Sequence, residues 1–341
     1  MRYRGAPSCN LGLGARINGS ASFAVNLCDT IVQEAMLKAM ILAGVFSPFL
    51  LAGNDPIREV TSQATREGLQ VAPAFHQGYV YWIGRDGADE VTIFAPDGHL
   101  AMAFAEESGH PRAIAIDTDG TVAVGWGDWD PKKGRGLDFR DSSGSVTRTI
   151  NTGAYLPHHL AFAEDHSLWS FGCEVDTTSA HGISKQEYKT VRKYERDGKE
   201  AGAYLPRSLF PPGLEPASQG FQWNSITVAR DRVGLWAISG TRGTQTEWVE
   251  LDRNGNLSGR WRLDQFVQQT KLALTRDGHL FVQVWDDKTS THRLYTLDRA
   301  SSEWRALDTA PGGWLEGADG NALVFRDSGL GPMHLRWYRH P

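Results

Sequence analysis

The sequence predicts an all-β chain: a six-bladed β-propeller of four-stranded antiparallel blades, closed by an N-terminal strand. Three observations predict it. One hairpin phrase recurs along residues 71–327, and a second kind of hairpin fills the gaps between its copies. The turn glycines Gly78, Gly120, Gly278 and Gly320 set a period of about 42–46 residues, the span of one propeller blade.

The clearest copies of the first phrase are PRAIAIDTDGTVAV (111–124), HHLAFAEDHSLWSF (158–171) and KLALTRDGHLFVQV (271–284). NSITVARDRVGLWAIS (224–239) matches with one shift at its turn, while VAPAFHQGYVYWIG (71–84) and GWLEGADGNALVFRD (313–327) are weaker copies. Each reads as an alternating apolar strand, a short polar turn and a second apolar strand, the pattern of a β-hairpin. Aligned, they put Val80, Val122, Leu168, Leu235, Leu280 and Leu323 at one inward position of the second strand. Trp169 and Trp236 follow two of these leucines and are expected to pack between blades.

The second set is VTIFAPDGHLAMAF (91–104), LDFRDSSGSVTRTI (137–150), VRKYERDGKEAGAY (191–204), WVELDRNGNLSGRW (248–261) and RLYTLDRASSEWRA (293–306). Asp-Gly, Ser-Gly or Asn-Gly turns, which accept positive φ, mark most of them. One hairpin of each set makes one blade. The last blade has only MHLRWYR (333–339) after its first hairpin, so residues 57–65, IREVTSQAT, are expected to supply its outer strand. That pairing ties the two ends of the fold into one sheet and removes an exposed edge.

The bulk composition narrows the function classes. Charged residues make up 22% and hydrophobic ones 40%, a globular balance. A net charge of −5 with no Lys/Arg-rich block speaks against nucleic acid or an anionic membrane as partner. Residues 36–52, MLKAMILAGVFSPFLLA, have the basic start, apolar run and small closing residue of a secretory signal or N-terminal apolar segment. The run is shorter than the roughly 20 residues of a spanning helix, so no membrane span is expected in the mature chain. Residues 1–35 read as a mis-called or disordered extension, and residues 53–341 as the propeller. Cys173 is then the only thiol of the mature chain, and packing alone must hold it together. A periplasmic or secreted location is the expectation.

The phrases HPRAIAIDTDGTVAV (110–124) and LPHHLAFAEDHSLWSF (156–171) resemble NHL-type and related, TolB-like, six-bladed propeller repeats. The resemblance covers nearly all of residues 57–339 and implies a scaffold; propellers of this kind host scaffolds, receptors, lyases and lactonases. Gluconolactonase-like propellers hold calcium in the channel through an acid and Asn/Asp side chains. Here the first-blade strand VAPAF has no acid, although Asn224 and Glu316 suit that pattern. Streptogramin-lyase-like propellers resemble the Leu168-Trp169 and Leu235-Trp236 strand starts.

Blade geometry indicates where a site belongs. With strands named A to D from the axis outward, A–B and C–D turns share one face, and B–C and D–A connections share the other. The long connections 127–136, 173–190 and 205–222 all fall on the second face, around blades two to four, and long loops on a rigid scaffold are where binding concentrates. Candidate ligand-binding residues there are His110, Arg112, Trp126, Trp129, His158, His159, Glu174, His181, Trp223, Asn224, Trp314 and Glu316. Histidines at strand entries can reach the channel as bases or ligands, but more often they cap turns. Aromatics at a pocket mouth suit sugars or peptides, and inter-blade packing claims at least half of such tryptophans.

Cys173, Glu174, Asp176 and His181 share one loop but match no closed zinc spacing. Asp128, Asp130, Lys132, Lys133 and Arg135 read as a solvated loop. No Gly-x-Ser-x-Gly elbow, His-Glu-x-x-His pair or phosphate loop occurs. The sequence therefore favours an exported, non-catalytic binding module that meets a protein, peptide or carbohydrate on its long-loop face. No cofactor is required, with room for one divalent cation in the central channel. The alternative is a channel-centred lyase or lactone hydrolase using His110, His158 or His159 as base.

Overall fold

The structure, a computed structural model, describes residues 55–65, 74–83, 90–130, 132–178, 182–210, 225–239, 245–263, 271–286, 291–307, 311–327 and 332–340. The signal-like segment and the extension before it lie outside the described residues. Strand β1 (Arg58–Thr65) comes first and is used last. Blade one is β2 (Ala74–His76), β3 (Tyr79–Ile83), β4 (Glu90–Phe94) and β5 (Leu100–Ala105). Blade two is β6 (Pro111–Ile116), β7 (Val122–Gly127), β8 (Arg135–Arg140) and β9 (Val146–Asn151). Blade three is β10 (Tyr155–Phe162), β11 (Leu168–Glu174), β12 (Lys189–Tyr194) and β13 (Glu200–Pro206). Blade four is β14 (Ser225–Ala229), β15 (Arg232–Ser239), β16 (Gln245–Asp252) and β17 (Leu257–Leu263). Blade five is β18 (Lys271–Leu274), β19 (Leu280–Asp286), β20 (Thr291–Asp298) and β21 (Glu303–Leu307). Blade six is β22 (Trp314–Asp319), β23 (Ala322–Arg326), β24 (Pro332–Arg339) and, as its outer strand, β1.

The ring closes as the sequence predicts. In the antiparallel β1–β24 ladder Arg58 faces Trp337 and Val60 faces Leu335. The Arg58 guanidinium lies 4.5 Å from the centre of the Trp337 ring, and its Nη2 donates to the Pro96 carbonyl of blade one at 2.7 Å. Gly98 makes this approach feasible. Its φ of +89° suits a residue without a side chain, and a Cβ there would stand 2.7 Å from the Thr61 carbonyl oxygen.

Among the described residues, six apolar clusters form seams between blades and a seventh lies within blade three. Each seam is an apolar cluster shared by two neighbouring blades. Between blades one and two it is Val91, Ile93, Ile114, Ile116, Val122 and Val124. Between three and four, Trp169 and Phe171 pack with Val233, Leu235 and Val249. Between four and five, Trp236 and Trp248 pack with Leu280 and Val282. Trp169 and Trp236 are fully buried, as their position after the inner leucines implies. Outer strands alternate exposed and half-buried residues, as β5 and β17 do, which suits an edge facing solvent.

One register differs from the sequence alignment. In blade four the A–B turn is only Arg230 and Asp231, with Ala229 pairing directly with Arg232. The shortened turn moves Val233, not Leu235, into the place held by Leu168 and Leu280. Because strands repeat every two residues, Leu235 still faces the core.

Candidate functional site

A half-open hollow lies on the face of B–C and D–A connections, at the inner end of blade two. It offers about 290 Å³ and is lined by Ser108, Gly109, His110, Gly127, Asp128, Lys133 and Gly134. Two connections build it: 106–110, which leads from blade one into β6, and 128–134, which joins β7 to β8. A backbone hydrogen bond from Gly127 N–H to the His110 carbonyl, 2.9 Å, locks the two together.

Trp126 lies behind the lining glycines Gly109 and Gly134. Its side chain is buried, and the glycines around it are required by that packing. A Cβ at Gly109 would come within 3.0 Å of the indole, and one at Gly134 within 3.2 Å. Trp126 therefore supports the hollow from behind instead of offering an exposed face at its mouth.

Charge is concentrated on Asp128. Lys133 Nζ donates to its Oδ2 at 2.8 Å, His110 Nε2 stands 3.6 Å from the same oxygen, and the Asp130 N–H binds Oδ1 at 3.0 Å. The lysine hydrogen bond above all, then the Asp130 amide, holds the carboxyl down at about 2. A permanent carboxylate thus sits between the Lys133 ammonium and the His110 imidazole, with Arg112 Nε anchored on the Gly127 carbonyl at 3.0 Å. Sequence reasoning set Asp128 and Lys133 aside as a solvated loop. The available signal was the row of glycines at 109, 127 and 134, which bares backbone on both sides of the charged string.

A buried polar chain runs from the wall. Ser108 Oγ donates to Asp138 Oδ2 at 2.6 Å, and Glu106 accepts from Arg140 Nη2 at 3.0 Å. Glu106, Asp138 and Arg140 are all buried. Burial pushes the Glu106 carboxyl up, with neighbouring Asp138 adding to the rise against the Ser108 amide and Arg140.

The remaining sequence candidates divide into three groups. His158 and Trp129 adjoin this region, their rings 5.3 Å apart. Burial, followed by the charges of His159 and Arg112, drives the His158 imidazole well below its usual range, so it is neutral. Both histidines lie within β10, at a bulge between Pro157 and His159; His159 stands 6.2 Å from the Phe171 ring. Elsewhere, Glu174 pairs with Arg192 at 3.1 Å, and Cys173 is packed with Leu156, Val175 and Tyr188. Glu316 is buried on blade six, taken up by Arg326 at 2.6 Å and Lys271 at 3.2 Å, while Trp314 meets His292 edge-on at 4.1 Å. His181, Trp223 and Asn224 lie outside the described residues.

Fold and topology together define a six-bladed β-propeller. No family profile matches the chain. A chloroplastic tocopherol cyclase of Zea mays is 23% identical over 295 residues, covering 77% of this chain; the chain spans 56% of that relative's length. A protein of unknown function from Dyadobacter fermentans superposes with a TM-score of 0.52 at 9% identity, covering 85% of this chain and 100% of that one. A gluconolactonase from Xanthomonas campestris gives a TM-score of 0.47 at 13% identity, covering 81% and 88%. Likeness at this level concerns the fold, and the function must come from the site. No helix among the described residues is long and apolar enough to cross a membrane.

Proposed function

We propose that this protein is an exported binding propeller that takes a hydroxyl-rich ligand, a carbohydrate by preference, into the hollow beside blade two. The observation that carries the reading is the Asp128 carboxylate fixed between Lys133 and His110 at the mouth of that hollow. An ionised carboxylate accepts hydrogen bonds from ligand hydroxyls while the ammonium and imidazole donate to them, and charged partners strengthen each bond. Trp129, partly exposed, supplies flat ring surface nearby, and sugar rings stack on such surfaces. The signal-like residues 36–52 support export, and the hairpin phrases support an NHL- or TolB-like repeat. The test is a glycan and peptide array probed with wild type, Asp128→Asn and Lys133→Ala. A glycan retained by wild type and lost by both variants supports the reading, whereas hits that both variants retain refute it.

A second reading, hydrolysis of a lactone in the same hollow, rests on the Ser108–Asp138 hydrogen bond and the raised carboxyl of Glu106 behind it. A carboxylate within 2.6 Å of a hydroxyl can take its proton. Lactone turnover that disappears in Ser108→Ala would favour this reading; its absence in wild type leaves binding alone.

A further inference from the structure

The opposite face of the ring carries a repeated clasp. In blades three to five the second residue of the C–D turn is an arginine: Arg196, Arg253 and Arg299. Arg196 donates to Asp119 in the A–B turn of blade two at 2.9 Å, and Arg253 stands 3.5 Å from Asp165 in the A–B turn of blade three. These two clasps join a blade to the one before it through the third residue of an A–B turn, while Arg299 reaches back to Glu250 in strand C of blade four. At blade six, β24 leaves the sheet at His340, in the arginine's place, and its partner in blade five is Asp277.

The exchange of guanidinium for imidazole changes the chemistry of this seam. His340 Nε2 lies 3.0 Å from Asp277 Oδ2, and His279 Nδ1 lies 3.1 Å from Oδ1 of the same carboxylate. The two imidazoles are neighbours, with ring centres 4.8 Å apart. One donor atom from each of the three residues lies within 4.8 Å of the others. Tetrahedral zinc with Zn–N near 2.0–2.1 Å sets neighbouring ligand atoms ~3.3 Å apart, so the two Asp–His spacings already match and the group needs only a small side-chain adjustment to converge on an ion. Asp117, Asp119 and His166 form a comparable group at the seam of blades two and three. There Arg196 already neutralises Asp119 and only one imidazole is present, so that group is a clasp of the arginine kind.

We propose that Asp277, His279 and His340 form a surface site for a divalent transition metal of imidazole preference, Zn²⁺ foremost, with solvent completing the shell. Two nitrogen donors and one carboxylate select zinc, nickel or copper over calcium and magnesium, which favour oxygen ligands. Bound there, the metal ties the end of β24 to blade five, the task that Arg196 and Arg253 perform at two earlier seams.

The experiment titrates the chelator-treated full chain with zinc chloride against a chromophoric competing chelator and follows thermal unfolding in parallel. One zinc per chain and a rise in melting temperature with zinc concentration are expected. His279→Gln and His340→Arg should each weaken uptake at least ten-fold, in the range of about 10–100-fold or more expected when a metal site is damaged. His340→Arg is the decisive control, because it places at this seam the ion pair that Arg196 and Arg253 make at theirs while removing a ligand. It should melt like metal-free wild type and gain nothing from zinc. No uptake by wild type, or uptake equal in wild type and His340→Arg, overturns the site.

Discussion

Val60 and Leu335 face each other across one antiparallel ladder, although one lies in the first strand of the ring and the other in the last. Val60 also packs against the seam of Val80, Phe94, Val324 and Trp337. Removing residues 57–65 should therefore strip cover from blade six and bare the edge of β24, lowering the melting temperature and promoting aggregation. Calorimetry and light scattering of the truncated chain check this; an unchanged melting curve would show that β1 is dispensable.

The buried tryptophans should behave as packing residues. Trp169 and Trp236 are about 1% exposed or less, in different seams. Replacing either by Ala should cost about 3–5 kcal/mol, measured by urea unfolding. A loss below about 1 kcal/mol, the range of surface substitutions, would mean that the indole contributes little to the seam.

Glu316 and Arg326 form a buried pair at 2.6 Å. Arg326→Met leaves the carboxylate with Lys271 alone and should cost about 3–5 kcal/mol, the penalty for breaking a buried pair. Replacing both residues by apolar ones should recover most of that stability. Equal losses in the single and double variants would show that the pair is not the unit that matters.

Much of the architecture was legible because each blade repeats one phrase. Alternation assigned the strands, Asp-Gly turns placed the chain reversals, and the missing outer strand of the last blade pointed to residues 57–65. The register of blade four was less legible, since the two-residue turn at Arg230 and Asp231 changes phase without changing which side is apolar. The site was half legible. Turn geometry put the long connections on the face where the hollow lies; His110 lines it, and Arg112 bonds the carbonyl of its Gly127. Asp128 and Lys133 were passed over because charge in a loop ordinarily means solvation; only the fold brings them against His110. The arginine clasps were hidden for a similar reason, since Arg196 and Asp119 belong to different blades.

Asp128 should show its environment in its titration. Its folded value, about 2, lies below the usual ~3.9 of an unfolded aspartate. The stability it contributes is present above the unfolded value and is lost as pH falls through about 2. Lys133→Ala removes the leading cause and should raise the Asp128 value toward ordinary. NMR titration of the carboxyl carbon reads this directly; an unmoved midpoint in Lys133→Ala would detach the lysine from the site.

A ligand that enters beside blade two, on the face of long connections, should depend on the residues around the hollow. The most direct measurement is the affinity for an array-identified ligand across two sets of alanine variants. One set is His110, Trp129 and Lys133, at or beside the hollow; the other is Asp97, Asp119 and Asp252, in the turns of the opposite face. The account predicts at least a ten-fold loss, about 1.4 kcal/mol, confined to the first set. Loss confined to the second set, or loss in neither, would contradict it.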